Sequence, residues 1–299
     1  KCDKRKNDMI QTKNMIRTDN EGKELQENER LLFNVSVNEA DICQYIGGNI
    51  PAHWHKEIEI FMLLEGCVDI HIENQIFRLT AGDGCFINSE VLHSFYAVCT
   101  SECRFHSFVF GAEIVGGMPG TVFDTEYVRP LMENGVQFLR FQKASDQRYY
   151  EQFNKAFLAC VTEKKGYEFE VRNALSDILL YIISKGVQKR NKISRIQEER
   201  LKAMLLWTEE HLSEIITVPE LAKAANICTR ECQRIFAQYL HCSPTEYIME
   251  QRIYKAAELL LDTELSITEI ALCCGFSSPS YFSQRFRKCT GRTPKEYRR

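Results

Sequence analysis

Short apolar runs alternate with turn residues between residues 31 and 110 of the chain. The runs are rich in β-branched and aromatic residues, and Gly, Asn, Asp and Ser separate them. This spacing predicts the strands of a small antiparallel sandwich or barrel. The predicted strands are residues 33–37, 58–64, 68–72, 76–79, 85–87, 94–98 and 105–110.

The pattern changes from alternation to helical periodicity after the Gly- and Pro-rich residues 111–120. Apolar residues then recur three and four positions apart, which predicts helices at residues 149–161 and 169–183 that pack on a partner. The stretch before residue 31 is polar and irregular, and the stretch after residue 184 is basic and poor in apolar residues. We therefore expect a flexible arm (1–30), a barrel domain with following helices (31–184), a basic linker (185–197) and a helical domain (198–299).

The helical domain contains an internal repeat. Leu221-Ala222, Asn226-Ile227 and Cys228 recur 49 residues later as Ile270-Ala271, Gly275-Phe276 and Ser277. Phe236, Pro244, Glu246 and Tyr247 recur 50 residues later as Phe286, Pro294, Glu296 and Tyr297. Each copy predicts a short helix, a tight turn and a longer helix, which is a helix-turn-helix.

Helical periodicity sorts the second helix of each copy into a buried and an exposed face. Apolar residues and one cysteine define the predicted buried face: Cys232, Ile235, Phe236, Phe282 and Phe286. In a helix-turn-helix the second helix enters the major groove, where Arg pairs with guanine and Gln with adenine. The predicted base-facing residues are Arg230, Gln233 and Arg234 in the first copy, and Ser280, Ser283 and Gln284 in the second. Phosphate contacts are predicted for Arg285, Arg287 and Lys288.

The formal net charge of −3 conceals an uneven distribution along the chain. Residues 1–184 carry 19 basic and 27 acidic residues, whereas residues 185–197 carry five basic residues and no acidic one. The last 30 residues carry seven basic residues against one acidic residue, Glu296. A local basic face of this kind favours a polyanionic partner such as DNA.

The C-terminal 100 residues resemble AraC/XylS-type transcription regulators. The resemblance rests on Glu269-Ile270-Ala271, Gly275-Phe276, Ser280-Tyr281-Phe282, Arg285-Phe286-Arg287, Gly291, Thr293-Pro294 and Tyr297-Arg298. It implies seven helices in which a long central helix, at about residues 245–261, holds both helix-turn-helix units against successive major-groove segments. It also implies that Cys228 stands where the family usually has a capping serine.

A second motif lies in the predicted barrel. Gly47, His53, His55, Glu59 and Gly66 fit the first sequence motif of the cupin barrel without a gap, and the second motif is present in half, with Gly82 and His93. Residues two apart on a strand face the same way, so we expect both histidines and the glutamate to point inward, with His93 joining from a facing strand. Three imidazoles and a carboxylate suit a divalent transition metal with open positions.

Three interpretations of this cluster remain open: a functional metal site, direct contact with a small effector, and a structural polar cluster. No cofactor follows with certainty from the sequence, and effector contact is the favoured hypothesis. Aromatic residues around the cluster would let a sugar-like or aromatic effector stack on them. The candidate effector-binding residues are His53, His55, Glu59, His93, Trp54, Phe61 and Tyr96, with Phe95 nearby.

The favoured function is a sequence-specific transcription regulator controlled by a small-molecule effector in the barrel, and not an enzyme. The alternatives are a metal-dependent cupin enzyme carrying a DNA-binding tail, and a repressor with a vestigial pocket that only occupies DNA. The expected partners are an operator duplex, the effector, a second copy of the chain and RNA polymerase, with no membrane association. Thirteen scattered cysteines and the absence of a long apolar segment favour the cytoplasm.

Overall fold

A computed structural model describes residues 10–11, 33–98, 101–186 and 192–298 of the chain. The chain forms two compact units that divide between Lys192 and Ile193, called here the N-terminal and C-terminal units. The predicted arm, residues 1–30, lies outside the described residues except for Ile10–Gln11. No helix among the described residues combines the length and the apolarity that crossing a membrane requires.

The N-terminal unit is built from two antiparallel sheets, to which one short strand adds in parallel. The strands are β1 (Ile10–Gln11), β2 (Val35–Asp41), β3 (Asn49–His53), β4 (Ile58–Leu63), β5 (Cys67–Ile72), β6 (Gln75–Thr80), β7 (Asp83–Ile87), β8 (His93–Ala97), β9 (Arg104–Phe110) and β10 (Phe138–Gln142). One sheet has the order β1-β2-β9-β4-β7-β10, and the other has the order β3-β8-β5-β6. All seven predicted strands are present, and the predicted barrel-like architecture is confirmed.

Alternating side chains on β4 separate two hydrophobic cores. Phe61 and Leu63 point into the core between the two sheets. Ile58, Ile60 and Met62 point to the other face of the same strand, where they pack under two helices. These helices are α3 (Gln147–Thr162) and α4 (Tyr167–Ser184), and two short helices precede them, α1 (Glu113–Gly116) and α2 (Arg129–Asn134).

The C-terminal unit consists of helices. They are α5 (Lys192–Glu210), α6 (Val218–Ala224), α7 (Thr229–Tyr239), α8 (Pro244–Asp262), α9 (Ile267–Cys273), α10 (Pro279–Thr290) and α11 (Pro294–Tyr297). The long helix α8 contacts α7, α9, α10 and α11, so it is the shared support of both helix-turn-helix units. It matches the central helix expected at residues 245–261.

Two boundaries differ from the sequence-based expectation. The expected linker, residues 185–197, is not irregular throughout, because α5 begins at Lys192. No Gly or Pro lies in α5 itself, and Arg195 pairs with Glu199 one turn later, which supports a helix. Strands β3 and β10 were not predicted: Pro51 argues against a strand at β3, and β10 is a single strand between helical segments.

The structure repeats where the sequence repeats. The helices α6 and α9 end in the same turn, in which the amide of Ile227 donates to Ala222 O (3.0 Å) and the amide of Phe276 donates to Ala271 O (2.9 Å). The turn residue has positive φ in both copies, 53° at Asn226 and 73° at Gly275. A Cβ at Gly275 would lie 2.6 Å from Leu212 O, so only glycine fits there.

The first recognition helix lacks the cap that the second has. The N-cap of α7 is Cys228, whose side chain makes no capping hydrogen bond, whereas Ser278 at the N-cap of α10 accepts one from the amide of Tyr281. The structural counterpart of Cys228 is therefore Ser278 and not Ser277, which is the extra residue in the second turn. The backbone amides of residues 229–231 have no acceptor within the helix, and in α7 no hydroxyl is present at the N-cap to accept from them, as Ser278 does in α10.

Replacing Cys228 with Ser is expected to raise the free energy of unfolding of the C-terminal unit by about 0.5–1 kcal/mol, because the hydroxyl accepts a hydrogen bond from an N-terminal amide. The reciprocal change, Ser278→Cys, is expected to lower it by a similar amount. Urea denaturation followed by far-ultraviolet circular dichroism measures both. Equal midpoints for the wild type and the Cys228→Ser variant would contradict the missing cap.

Candidate functional site

The connection between β3 and β4 carries the predicted cluster. His53 is the last residue of β3, His55 lies in the loop that follows, and Glu59 is the second residue of β4. The expectation that these three share one strand is wrong, because β3 and β4 belong to different sheets and a loop joins them. They converge because the ends of β3 and β4 meet at this loop, and His93 at the start of β8 is paired with His53.

The four side chains meet inside the barrel. One nitrogen from each histidine and one carboxylate oxygen all lie within 4.8 Å of one another, and all four residues are buried. His93 Nε2 lies 3.2 Å from Glu59 Oε2, and His55 Nε2 lies 3.5 Å from the same oxygen. The rings of His53 and His93 are 4.2 Å apart. The space among these four ligand atoms is large enough for a single atom or ion.

Backbone carbonyls fix the orientation of the three imidazoles. Nδ1 of His53 lies 2.8 Å from Pro51 O, Nδ1 of His55 lies 3.0 Å from Glu57 O, and Nδ1 of His93 lies 2.8 Å from Val91 O. A carbonyl oxygen only accepts hydrogen bonds, so each Nδ1 carries the hydrogen and each Nε2 of a neutral ring presents a lone pair. Nε2 of His55 and Nε2 of His93 both face Glu59 Oε2, to which a protonated ring donates and toward which a neutral ring directs its lone pair.

Burial and charge set the ionisation of the cluster. Burial, together with the neighbouring His93 and His55, holds the pKa of the His53 imidazole well below its ordinary value. Burial alone would raise the pKa of the Glu59 carboxyl, but the facing imidazoles of His55 and His93 outweigh it and hold that pKa well below its usual range. The cluster is thus a buried carboxylate beside an imidazole that resists protonation.

Two of the predicted aromatic residues do not face the cluster as an effector-stacking surface. Tyr96 lies three residues after His93 on β8, so it points to the opposite face, where its ring packs on His71 at 4.4 Å. The ring of Phe61 is fully buried and stacks between Phe95 (5.1 Å) and Phe105 (4.8 Å), which makes it core. Trp54 is buried, between the two histidines in sequence.

The predicted buried faces of α7 and α10 are confirmed. Cys232, Ile235, Phe236, Phe282 and Phe286 are all fully buried. The structure places Arg230, Gln233 and Arg234 on the exposed face of α7, and Ser280 and Gln284 on the exposed face of α10, with Ser283 partly buried. Neither helix is packed away, so both present polar side chains to solvent.

Arg234 does not project freely from α7. Its guanidinium donates to both carboxylate oxygens of Glu231 (2.8 and 2.6 Å) and to Gln238 Oε1 (2.7 Å). Glu231 was not among the predicted site residues, although its spacing of three from Arg234 on a helix is a signal for this pair. On α10 the position equivalent to Glu231 is Tyr281, whose hydroxyl accepts a hydrogen bond from Arg285 Nε (3.0 Å).

The predicted phosphate-contacting residues lie in the last turns of α10. Arg287 and Lys288 are exposed, and Arg285 is partly buried against the ring of Tyr281, 5.3 Å from its centroid. No carboxylate of α10 offsets these three cations, because its sequence contains no acidic residue. The C-terminal end of this helix is therefore a basic surface.

Two family descriptions match the chain, one for each unit. An AraC-like ligand binding domain matches residues 42–188, and a helix-turn-helix domain matches residues 221–299. Together they cover both the barrel with its helices and the two recognition helices.

Relatives match over nearly the whole chain. The uncharacterized HTH-type transcriptional regulator YdeC of Bacillus subtilis (strain 168) is 30% identical over 289 residues, which is 93% of this chain and 96% of the relative. The HTH-type transcriptional activator RhaS of Escherichia coli is 24% identical over 257 residues, covering 84% of this chain and 88% of the relative. Among solved structures, ToxT of Vibrio cholerae is 14% identical, covers 89% of this chain and 97% of that chain, and has a TM-score of 0.45. The chain belongs to the AraC/XylS-type family of transcription regulators, in which an N-terminal ligand-binding domain controls a C-terminal DNA-binding domain.

Proposed function

We propose that the effector of this regulator is sensed at a metal centre in the barrel, held by His53, His55, Glu59 and His93. The observation that carries the proposal is the set of acceptor atoms that converge within 4.8 Å of one another. The lone pairs of neutral imidazoles and of the Glu59 carboxylate repel one another, so this arrangement favours a cation among them. Divalent transition metals bind imidazole nitrogen and carboxylate oxygen at about 2.0–2.2 Å, so the four side chains would close in around the ion as it binds.

The other two interpretations fit this geometry less well. A whole organic effector is too large to lie among four atoms so close together, although one oxygen of an effector fits beside the metal. In a purely structural cluster, we would expect each acceptor atom to face a hydrogen-bond donor. Here the Nδ1 hydrogens of the three imidazoles are donated to backbone carbonyls and not to other members of the cluster. The carbonyl contacts also orient the ligands, as second-layer contacts do in metal sites.

Metal stoichiometry tests the centre directly. We expect the purified full chain to bind one equivalent of Mn²⁺ or Zn²⁺ in equilibrium dialysis, and the His53→Ala variant to bind less than about a tenth as tightly. His71→Ala is the matched control, since His71 lies on β5 outside the cluster. Unchanged stoichiometry and affinity in His53→Ala would remove the metal assignment.

We further propose that the two recognition helices read operator DNA. Arg230, Gln233 and Arg234 would contact base edges in one major-groove segment, and Ser280, Ser283 and Gln284 would do so in the next. All of these residues except the partly buried Ser283 are exposed, and both helices are supported by α8, which favours this assignment. Regulation of transcription, rather than catalysis, is supported by the relatives, which carry the names of transcription regulators.

The basic end of α10 would fix the protein on the duplex by contacting phosphates through Arg285, Arg287 and Lys288. We expect Lys288→Ala to lower the slope of log affinity against log salt by about 1, and to weaken selected and random duplexes equally. Fluorescence anisotropy titrations at several salt concentrations measure this slope. The control is Lys155→Ala, an exposed lysine on α3, and a slope unchanged by Lys288→Ala would contradict the phosphate contact.

The helices α3 and α4 would pair two copies of the chain. Leu158 and Val161 near the end of α3, and Phe169 near the start of α4, are between 53% and 68% exposed, which is unusual for such large apolar side chains. A second copy would cover them. Contact with RNA polymerase and a cytoplasmic location stay predictions.

A further inference from the structure

Three polar side chains inside the barrel belong to neither the metal-binding set nor the apolar core. They are Ser36 and Asn38 on β2 and Ser107 on β9, which are 1%, 6% and 1% exposed. Asn38 Nδ2 donates to Ser107 Oγ at 3.1 Å. Ser36 Oγ and Asn38 Oδ1 are buried and make no hydrogen bond to the residues that the structure describes. Unsatisfied buried polar atoms are costly, so they indicate a bound water or a ligand that pairs with them.

Strand register places these side chains on the same face as the metal centre. Glu59 on β4 is opposite Val109 on β9, which in turn is opposite Ser36 on β2. Side chains directly opposite in neighbouring antiparallel strands share a face. Ser36 therefore points into the barrel, as Glu59 does.

The next row of the sheet gives the same result. Phe61 is opposite Ser107, which is opposite Asn38, and Phe61 lies in the core between the sheets. Val35 and Val37 alternate with these positions on β2 and pack under the helices instead. The polar group thus forms one lumenal patch beside the metal centre.

The separation between patch and centre defines the size of a molecule that reaches both. Neighbouring strands lie about 4.8 Å apart, so Ser36 is about 10 Å from Glu59 across two strand spacings. Both side chains extend into the lumen and shorten this gap. A linear molecule of about six carbons spans it.

We propose that Ser36, Asn38 and Ser107 form the distal half of the effector site and that the effector is a small hydroxylated carboxylate. The proposal rests on the metal centre proposed above. A divalent ion beside the Glu59 carboxylate leaves one buried positive charge, which a carboxylate of the effector neutralises. The distal residues carry no charge, and Asn38 Oδ1 only accepts, so the far end of the effector must offer neutral donors such as hydroxyls.

Isothermal titration of the Mn²⁺-loaded full chain with three probes tests the chemical class. D-Gluconate carries both the carboxylate and the hydroxyls, hexanoate carries the carboxylate alone, and D-sorbitol carries the hydroxyls alone. We expect gluconate to bind at least about tenfold more tightly than either, since each hydrogen bond contributes about a 2- to 13-fold gain. Failure of gluconate to bind the loaded protein, or equal binding of hexanoate, overturns the proposed class.

Ser36→Ala tests the residues. It removes a hydroxyl that makes no hydrogen bond to the described part of the chain, and we expect it to keep the fold and metal content while weakening gluconate binding about 2- to 13-fold. Ser94→Ala is the matched control, because Ser94 is a buried serine on the face of β8 away from His93. Unchanged gluconate affinity in Ser36→Ala would mean that the patch holds only water.

The two proposals fail in different ways. Gluconate binding that depends on Ser36 but not on Mn²⁺ would keep the distal patch and remove the metal centre. Stoichiometric Mn²⁺ without gluconate binding would keep the centre and remove the distal patch.

Discussion

We expect Mn²⁺ or Zn²⁺ added to metal-free protein to raise the melting temperature of the N-terminal unit by about 8–16 °C when the metal is at about 1,000 times its dissociation constant. Binding to the folded state alone stabilises it by about 4 kcal/mol at that concentration. Each kcal/mol shifts the transition of a domain of 150–250 residues by about 2–4 °C. The folded barrel brings together His53, His55, Glu59 and His93 from separate elements, so the unfolded chain offers no equivalent site.

Differential scanning calorimetry of the full chain with and without metal measures this shift. Glu59→Gln preserves the size of the side chain but removes its charge, and we expect it to abolish most of the shift. His71→Ala should keep the full shift, because His71 packs on Tyr96 outside the cluster. A metal-induced shift of the same size in Glu59→Gln would show that the ion binds elsewhere.

Motif spacing predicted this cluster correctly while assigning its residues to the wrong elements. The intervals between His53, His55 and Glu59 favour one strand, but a loop joins two strands of different sheets there. The residues still converge because strand pairing, which is a long-range property, brings His93 against His53. Local periodicity cannot supply such pairing.

Other misses had a signal in the sequence. Tyr96 lies an odd number of residues from His93, so strand alternation alone places the two on opposite faces. Strand alternation also shows that Ser36 and Asn38 share one face of β2, opposite to Val35 and Val37. Only the register with β9 shows that this polar face is the one that lines the lumen. The start of α5 was missed because basic residues suggested a linker, although Arg195 and Glu199 stand at helical spacing.

The recognition helices were predicted more completely than the barrel site, because helical faces depend on local periodicity. Each residue assigned to the buried face of α7 and α10 is buried. The sequence did not reveal how the exposed side chains interact with each other. The contact between Glu231 and Arg234 is the main example, and it changes what a substitution at Arg234 tests.

We expect the replacement of Arg234 with Ala to weaken binding to a selected duplex by about 1–3 kcal/mol, or about 5- to 150-fold, and to leave binding to random DNA nearly unchanged. The selected duplex is obtained from a randomised pool with the full chain. An arginine that forms paired hydrogen bonds with guanine contributes discrimination, whereas a phosphate contact would weaken all sequences equally. Arg195→Ala is the matched control, an exposed and ion-paired arginine on α5.

We expect Glu231 to influence the ratio between the affinities for selected and random DNA, because it is paired with Arg234. Its carboxylate accepts hydrogen bonds from the Arg234 guanidinium, and it places a negative charge on the face that we propose contacts DNA. We expect Glu231→Gln to strengthen binding to random DNA, because one repulsive charge is lost, and to narrow the ratio of selected to random affinity. We expect the double variant Glu231→Gln/Arg234→Ala to lose less binding free energy for the selected duplex than the two single variants lose in total. The reason is that the two side chains act as one unit. Additive losses would show that Arg234 reads DNA independently of Glu231, and equal losses on random and selected duplexes would remove its role in base reading.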